Sequence, residues 1–126
     1  MTKILVVEDD LNNMEIIVRF LRMKKYDVHS ATHGPDGVAM ALAERPDLIL
    51  MDLSLPNPED GLDATRQIRA QAGTEEIPVI AFTAHSMAQD KEKARAAGCN
   101  DFESKPVDFK RLLVKIHECL PKQEVS

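Results

Sequence analysis

The amino-acid sequence predicts an α/β fold in which helices cover both faces of a parallel sheet. Five short apolar runs alternate with five segments of helical periodicity along the 126 residues. The runs ILVV at 4–7 and LILM at 48–51 are apolar at every position, which is typical of parallel strands buried on both faces. Ionisable or hydroxyl side chains follow four of the runs directly. Together these observations predict a doubly wound sheet with a site at its carboxyl edge.

The first half of the chain supplies three of the strands and two of the helices. The first run is rich in β-branched residues, and the second alternates as an edge strand does. Lysines close the last turn of the first helix, and Pro46 stops the alanine-rich second helix. The third strand ends directly before Asp52. The predicted strands are 4–7, 26–31 and 48–51, and the predicted helices are 12–25 and 35–46.

The second half continues the alternation with clearer helix boundaries. Ser86 and Gln89 have capping-box spacing, and Gly98 is suited to end that helix. Asp108 is placed to cap the last helix, which Pro121 ends. The predicted helices are 62–71, 85–98 and 109–120, and the predicted strands are 78–82 and a short strand with its turn at 100–106.

Length and composition favour one domain over residues 1–121, followed by a disordered tail at 122–126. The formal net charge of −5 argues against a nucleic-acid ligand, which usually requires a basic face. No apolar run reaches membrane-spanning length, and the N-terminal run is too short for a signal peptide. Cys99 and Cys119 lack metal-site spacing and are interpreted as reduced thiols. We therefore expect a cytoplasmic protein that does not bind membranes.

Polar side chains mark the points where four of the strands leave the sheet. Because the carboxyl ends of parallel strands meet at one edge, these side chains should lie close together. Like charges at about 4 Å repel by roughly 1 kcal/mol in water and by more when partly buried, so clustered carboxylates need a cation or a proton. The residues are Glu8, Asp9 and Asp10 after the first strand, Asp52 after the third, Thr83 after the fourth and Lys105 after the fifth.

The chemistry of this edge favours phosphoryl transfer. Oxygen ligands alone favour Mg²⁺, which leaves part of its coordination shell for water and phosphate. Lys105 and the Thr83 hydroxyl would face the charged oxygens of a phosphoryl group. The sequence has neither a GxxxxGK(S/T) nor a GxGxxG motif, which argues against a bound nucleotide. The acceptor is then a side chain, and Asp52 is the candidate because it follows a central strand.

Each of these residues also has a simpler interpretation. Asp10 is interpreted as the cap of the first helix or as a surface residue. Asp52 alone would be a loop residue, Thr83 alone a helix cap and Lys105 alone an exposed turn residue. Their coincidence at one edge favours a common site. No ligand spacing relates the histidines to one another, so we assign no metal to His29, His33 or His117.

The sequence resembles the receiver domain of two-component response regulators. The motifs that carry the resemblance, ILVVEDD, PDLILMDLSLP, the DG at 60–61, PVIAFTA and AAGCNDFESKP, occur in order and cover residues 3 to about 120. The resemblance implies a flavodoxin-like fold with three α/β/α layers, a five-stranded parallel sheet of order 2-1-3-4-5 and five helices.

The resemblance also implies an acceptor and a metal site. It implies that Asp52 accepts a phosphoryl group from a phosphohistidine on a sensor histidine kinase or a histidine phosphotransferase. Asp9 would bind Mg²⁺ directly, Glu8 through water, and Asp52 and the Ser54 backbone carbonyl would supply further ligands. Lys105 would pair with the phosphoryl group.

A conformational switch is implied in the same way. Thr83 would hydrogen-bond a phosphoryl oxygen and move toward it, and Phe102 would rotate inward as Thr83 moves. The Lys105–Pro106 peptide bond is expected to be cis. Ser54 and His85 occupy the positions at which the family varies the lifetime of the aspartyl phosphate.

One segment departs from the family pattern. Receivers commonly have P-x-x-D-G after the acceptor strand, whereas PNPEDG at 56–61 is one residue longer. The departure leaves Asp52 unaffected and makes the path of the loop an open question.

The function that follows is a single-domain response regulator and not an enzyme beyond its own phosphorylation and dephosphorylation. Its output surface is expected on the fourth helix, fifth strand and fifth helix. A downstream protein would bind there, or a phosphorylation-dependent dimer would form; otherwise the chain is a monomer.

Three alternatives stay open at this point. The chain is a receiver taken from a hybrid histidine kinase, a receiver-like binding module without phosphorylation, or an aspartyl-phosphate phosphatase of the dehalogenase type. The last of these has D-x-D at the nucleophile, whereas residue 54 here is Ser.

Overall fold

The computed structural model describes residues 1–53, 59–83 and 88–120. Within these ranges, five strands and five helices alternate along the chain. The strands are β1 (Lys3–Val7), β2 (Asp27–Ala31), β3 (Leu48–Asp52), β4 (Val79–Thr83) and β5 (Asp101–Ser104). The helices are α1 (Leu11–Met23), α2 (Gly34–Glu44), α3 (Glu59–Ala70), α4 (Ala88–Ala97) and α5 (Phe109–Cys119).

The strands form one parallel sheet in the order β2-β1-β3-β4-β5, which confirms the predicted topology. The order reverses at β1, whose neighbours are β2 and β3. The ladder between β1 and β3 runs from Ile4 opposite Leu48 to Val7 opposite Met51. The carboxyl ends of these two strands are therefore side by side, at the position where ligands bind in doubly wound sheets.

Alternate residues of the central strands enter two separate cores. Leu5, Val7, Ile49 and Met51 pack under α2, α3 and α4, with side chains such as Ile68 and Ala94 from those helices. The opposite face of the sheet packs against α1 and α5. Burying one such aliphatic side chain contributes about 1.5–3 kcal/mol, so both helical layers are firmly attached to the sheet. The second core contains Ile4, Val6, Leu48, Leu50, Ile80, Phe82, Ile17, Leu21, Leu112 and Ile116.

Two predicted aspartate caps are confirmed. Asp10 accepts hydrogen bonds from the backbone N–H groups of Asn12 and Asn13 at the start of α1. Asp108 caps α5 in the same way, through Lys110 and Arg111. Such caps contribute about 1 kcal/mol each and fix where the chain turns from loop into helix.

Several boundaries differ from the prediction. Helix α3 begins at Glu59, three residues before the predicted start at 62, because Gly61 lies within the helix and does not break it. Helix α2 ends at Glu44, where Arg45 takes a left-handed conformation with φ of 47°. The predicted start of the fourth helix at 85 and the tail at 122–126 lie outside the described residues.

The residues Ile16, Ile17, Phe20 and Leu21 have helical spacing, which predicts one apolar face on α1, but that face is only partly buried. Ile17 and Leu21 are buried, whereas Ile16 is 55% exposed. No helix among the described residues is long and apolar enough to cross a membrane.

Candidate phosphoacceptor and metal site

The acidic side chains predicted to cluster do so at the carboxyl edge of the sheet. Glu8 and Asp9 follow β1, and Asp52 is the last residue of β3. Because the β1–β3 ladder ends at Val7 and Met51, the next residues on both strands are neighbours. One carboxylate oxygen from each of Glu8, Asp9 and Asp52 lies within 4.8 Å of the other two. Glu8 and Asp52 are buried and Asp9 is half-buried.

Lys105 brings a positive charge into this cluster from the far side of β4. Its Nζ lies 3.1 Å from Glu8 Oε1 and 3.1 Å from Asp52 Oδ1. The backbone N–H of Lys105 donates to the Thr83 carbonyl at 2.8 Å, which ties the end of β5 to the end of β4. The Lys105–Pro106 peptide bond is cis. The lysine therefore connects the end of β5 to the ends of β1 and β3, which carry the buried carboxylates.

Burial and like charge together determine the protonation of the cluster. Burial first, and then the hydrogen bond and negative charge of Asp52, raise the pKa of Glu8 to about 8. Burial alone would lower the pKa of Lys105, but the Asp52 and Glu8 carboxylates outweigh it and raise that pKa above its ordinary value. Lys105 is thus held in its charged form, while Glu8 retains a proton that a second positive charge would displace.

The donor set fits a hard divalent cation. It consists of carboxylate oxygens alone, with no thiolate or imidazole, and Mg²⁺ is usually held by one or two carboxylates plus water and phosphate oxygens. Among the described residues, this is the one group of His, Cys, Asp or Glu side chains arranged to hold a metal ion. His29, which contacts Asp27 and Glu44, does not belong to it. Ser54, the expected source of a backbone ligand, lies outside the described residues.

Thr83 ends β4 next to the cluster and is buried. The β3–β4 ladder pairs Asp52 with Phe82, so Thr83 lies one residue beyond the partner of the acceptor candidate. Thr83 pairs with Ser104 on β5, and Phe102 lies two residues before Ser104 on the same face of that strand. Phe102 is half-buried against the core under α4, and Lys91 Nζ lies 5.7 Å from its ring centroid. His85 lies outside the described residues.

Gly61 explains why the sequence has DG in front of α3. A Cβ on this residue would lie 2.7 Å from the Asp52 carbonyl oxygen and 2.9 Å from Leu53 Cδ2. Only glycine allows the first turn of α3 to pack this closely against the end of β3. The glycine thereby supports the backbone of Asp52. The DG motif indicates the position of this residue in the sequence, but only the structure shows the close contact that requires glycine there.

A second supporting residue was not recognised as such from the sequence. The Arg69 guanidinium donates to the carbonyl groups of Ile77 and Gly98 at 2.6 and 3.0 Å and to Asn100 Oδ1 at 2.7 Å. It therefore joins the end of α3 to the segments that enter β4 and β5. Burial lowers the pKa of Arg69 from its ordinary value. Its helical spacing with Leu62 and Thr65 indicates only that it lies near the core.

The comparisons with known proteins agree with this geometry. The family model for the response regulator receiver domain matches residues 4–117. PilH of Pseudomonas aeruginosa is 38% identical over 95% of this chain and 98% of its own length. ArlR of Staphylococcus saprophyticus is 42% identical over 98% of this chain, which spans 54% of ArlR.

Solved structures give the same result. The receiver domain of the sensor histidine kinase PA1611 from Pseudomonas aeruginosa, which has a magnesium ion coordinated in its active-site cleft, superimposes with a TM-score of 0.85. It is 38% identical to this chain, and the match covers 93% of this chain and 95% of that domain.

Proposed function

This chain belongs to the response regulator receiver domain family, and from that premise we propose that Asp52 is the residue that accepts its phosphoryl group. The proposed donor is a phosphohistidine on a sensor histidine kinase or a histidine phosphotransferase. The observation that carries the proposal is the position of Asp52 between the negative charges of the acidic cluster and the positive charge of Lys105. A carboxylate oxygen of Asp52 belongs to the acidic cluster, and Lys105 Nζ lies 3.1 Å from Asp52 Oδ1.

The transfer uses these side chains in distinct roles. An Asp52 oxygen attacks phosphorus, the bond from phosphorus to the donor imidazole breaks, and its electron pair stays on that imidazole nitrogen. Lys105 faces the phosphoryl oxygens and offsets their charge. Asp9 and Asp52 would bind Mg²⁺ directly and Glu8 would bind it through water, and the ion would supply the remaining positive charge for these oxygens. The Thr83 hydroxyl donates to one of them.

Switching is proposed to follow from the new charge. A phosphoryl group adds about −1.5 to −2 charge at the end of β3, and Thr83 moves toward it. Phe102 then rotates into the space that Thr83 leaves, which changes the surface formed by α4, β5 and α5. A downstream protein, or a second phosphorylated copy, binds that surface. The protein acts in the cytoplasm as a switch and catalyses only its own phosphorylation and dephosphorylation.

Two protein architectures are compatible with this activity. The full-length match to PilH favours a single-domain regulator. The match to a receiver domain of a sensor histidine kinase favours a receiver within a hybrid kinase. The chemistry at Asp52 is the same in both.

Acetyl phosphate tests the proposal without a partner protein. Incubation with Mg²⁺ should add one phosphoryl group to the intact mass, and EDTA should prevent the addition. Asp52→Asn should remove it, whereas Asp63→Asn, which changes an exposed carboxylate on α3, should retain it. Absence of labelling by acetyl phosphate and by a phosphohistidine donor would contradict the proposal, as would labelling of Asp52→Asn.

A further inference from the structure

One buried carboxylate lies outside the acidic cluster. Among the described residues, three carboxylate side chains are buried, those of Glu8, Asp52 and Glu103. Glu8 and Asp52 belong to the cluster. Glu103 lies on β5, two residues before Lys105, and its side chain is 1% exposed. A buried charge is costly unless cations or hydrogen-bond donors compensate it. The groups that compensate Glu103 therefore show what this carboxylate connects.

Two cations on α5 compensate Glu103. Lys115 Nζ lies 3.0 Å from Glu103 Oε2, and Arg111 Nη1 lies 3.4 Å from Glu103 Oε1. The contact with Lys115 is an ion pair without the alignment of a hydrogen bond. Lys115 Nζ also lies 3.7 Å from Asp101 Oδ1 and donates to the Phe102 carbonyl. Because Arg111 and Lys115 lie one turn apart on α5, both cations can face β5 and hold it against the helix.

The pair between Glu103 and Arg111 also closes the base of the loop that carries Lys105. Residues 104–108 lead from Glu103 to α5, where Asp108 accepts from the backbone N–H of Arg111 at 3.2 Å. The two ends of this short loop are thus fixed to each other by a side-chain pair and a helix cap. This closure restricts where the Lys105 side chain can reach, and its Nζ lies 3.1 Å from both buried carboxylates of the cluster.

We propose that Glu103 is a positioning residue for Lys105, because its ion pairs with α5 hold the loop in which the lysine reaches the acidic cluster. The inference rests on the proposed function, in which Lys105 offsets the charge of the phosphoryl oxygens. Glu103 lies outside the cluster and therefore acts through the lysine. Without these ion pairs the lysine withdraws from the cluster, so the site loses a cation that assists the transfer and that competes with Mg²⁺.

Glu103→Gln tests the proposal because it removes the charge and retains the size of the side chain. We expect labelling by acetyl phosphate to slow at least threefold and Mg²⁺ to bind at least threefold more tightly, as measured by intact-mass kinetics and by calorimetry. Loss of a purely structural contact would not tighten a metal site. The matched control is Glu44→Gln, which removes a carboxylate that pairs with Lys3 at the amino edge of the sheet. It should change either quantity by less than twofold.

A double variant shows whether both effects pass through Lys105. In Lys105→Met the cation that Glu103 positions is already absent, so adding Glu103→Gln should change the labelling rate and the Mg²⁺ affinity by less than twofold. Arg111→Met opens the same loop without disturbing the core, since the Arg111 side chain is 60% exposed. It should shift both quantities in the direction of Glu103→Gln. Urea denaturation shows that each variant is folded.

The inference would be overturned if Glu103→Gln changed only one of the two quantities, changed neither, or added its effects to those of Lys105→Met. If Glu103→Gln does not fold, as the loss of one partner from a buried ion pair can cause, Arg111→Met decides by the same criteria. Mg²⁺ binding does not require phosphorylation, so its affinity alone decides if wild type is not labelled. Labelling of wild type and of Glu103→Gln at equal rates would contradict the positioning role and leave Asp52 as the acceptor.

Discussion

Lys105 is the residue at which opposing charges meet, because its Nζ lies 3.1 Å from both Glu8 and Asp52. Replacing it with methionine removes a cation that competes with Mg²⁺ for the same carboxylates. We predict that Lys105→Met binds Mg²⁺ several-fold more tightly while its labelling by acetyl phosphate slows by about tenfold or more. Calorimetry and intact-mass kinetics measure the two effects. A parallel loss of both would show that the lysine only maintains the fold.

Glu8 gives the site its dependence on pH. Burial and the neighbouring Asp52 raise its pKa from 4.5 to about 8, so the folded protein retains a proton that the unfolded chain has released. Without metal, the free energy of unfolding should therefore decrease as the pH rises from about 5 to 8. Glu8→Gln should flatten this decrease. Urea denaturation in EDTA at a series of pH values measures both. A wild-type stability that increases over this interval would contradict the assignment.

Asp9 and Asp10 separate the metal site from the helix cap. Asp9 belongs to the acidic cluster, whereas Asp10 accepts from the N–H groups that begin α1. Millimolar Mg²⁺ should raise the melting temperature of wild type, because a ligand that binds only the folded state stabilises it. Asp9→Asn should lose most of this increase. Asp10→Asn should keep it, since asparagine also caps helices. An increase retained in Asp9→Asn would remove that residue from the ligand set.

At the scale of elements, Arg69 holds α3 against the segments that enter β4 and β5. Arg69→Met keeps the aliphatic stem but leaves the Ile77 and Gly98 carbonyls without their donor. Since each unsatisfied buried group costs about 1–3 kcal/mol, we predict a loss of about 2–4 kcal/mol in the free energy of unfolding. Arg66→Met, whose exposed side chain pairs with Asp63 on the same helix, should cost less than about 0.5 kcal/mol. Equal costs in urea denaturation would show that the Arg69 contacts contribute nothing specific.

The elements differ in how far the sequence could predict them. Strands β1 and β3 are continuous apolar runs buried on both faces, so their pattern alone identifies them. The predicted start of helix α3 is too late because Gly61 is typical of a turn. The close packing of Gly61 against the Asp52 carbonyl is a tertiary contact, which the local sequence does not show. The role of Arg69 depends on carbonyls 8 and 29 residues away along the chain. No local pattern carries such contacts.

At the scale of the whole molecule, the parallel sheet brings the functional side chains together at one edge. Glu8, Asp52 and Lys105 are far apart in sequence and meet because each comes at or after the carboxyl end of a strand. That clustering could be predicted once the sheet was known to be parallel. The strand order could not be derived from periodicity, because the apolar runs do not indicate which strands are neighbours in the sheet. The resemblance supplied the order, and the ladder registers confirm it.

In the proposed mechanism, phosphorylation occurs at Asp52 and at no other carboxylate of the cluster. Sodium borohydride reduces an aspartyl phosphate to homoserine, and peptide mass spectrometry locates the product along the chain. After labelling with acetyl phosphate and Mg²⁺, we predict homoserine at position 52 and an unmodified aspartate at position 9. Reduction at any other position, or none in a sample whose intact mass shows the phosphoryl group, would contradict phosphorylation at Asp52.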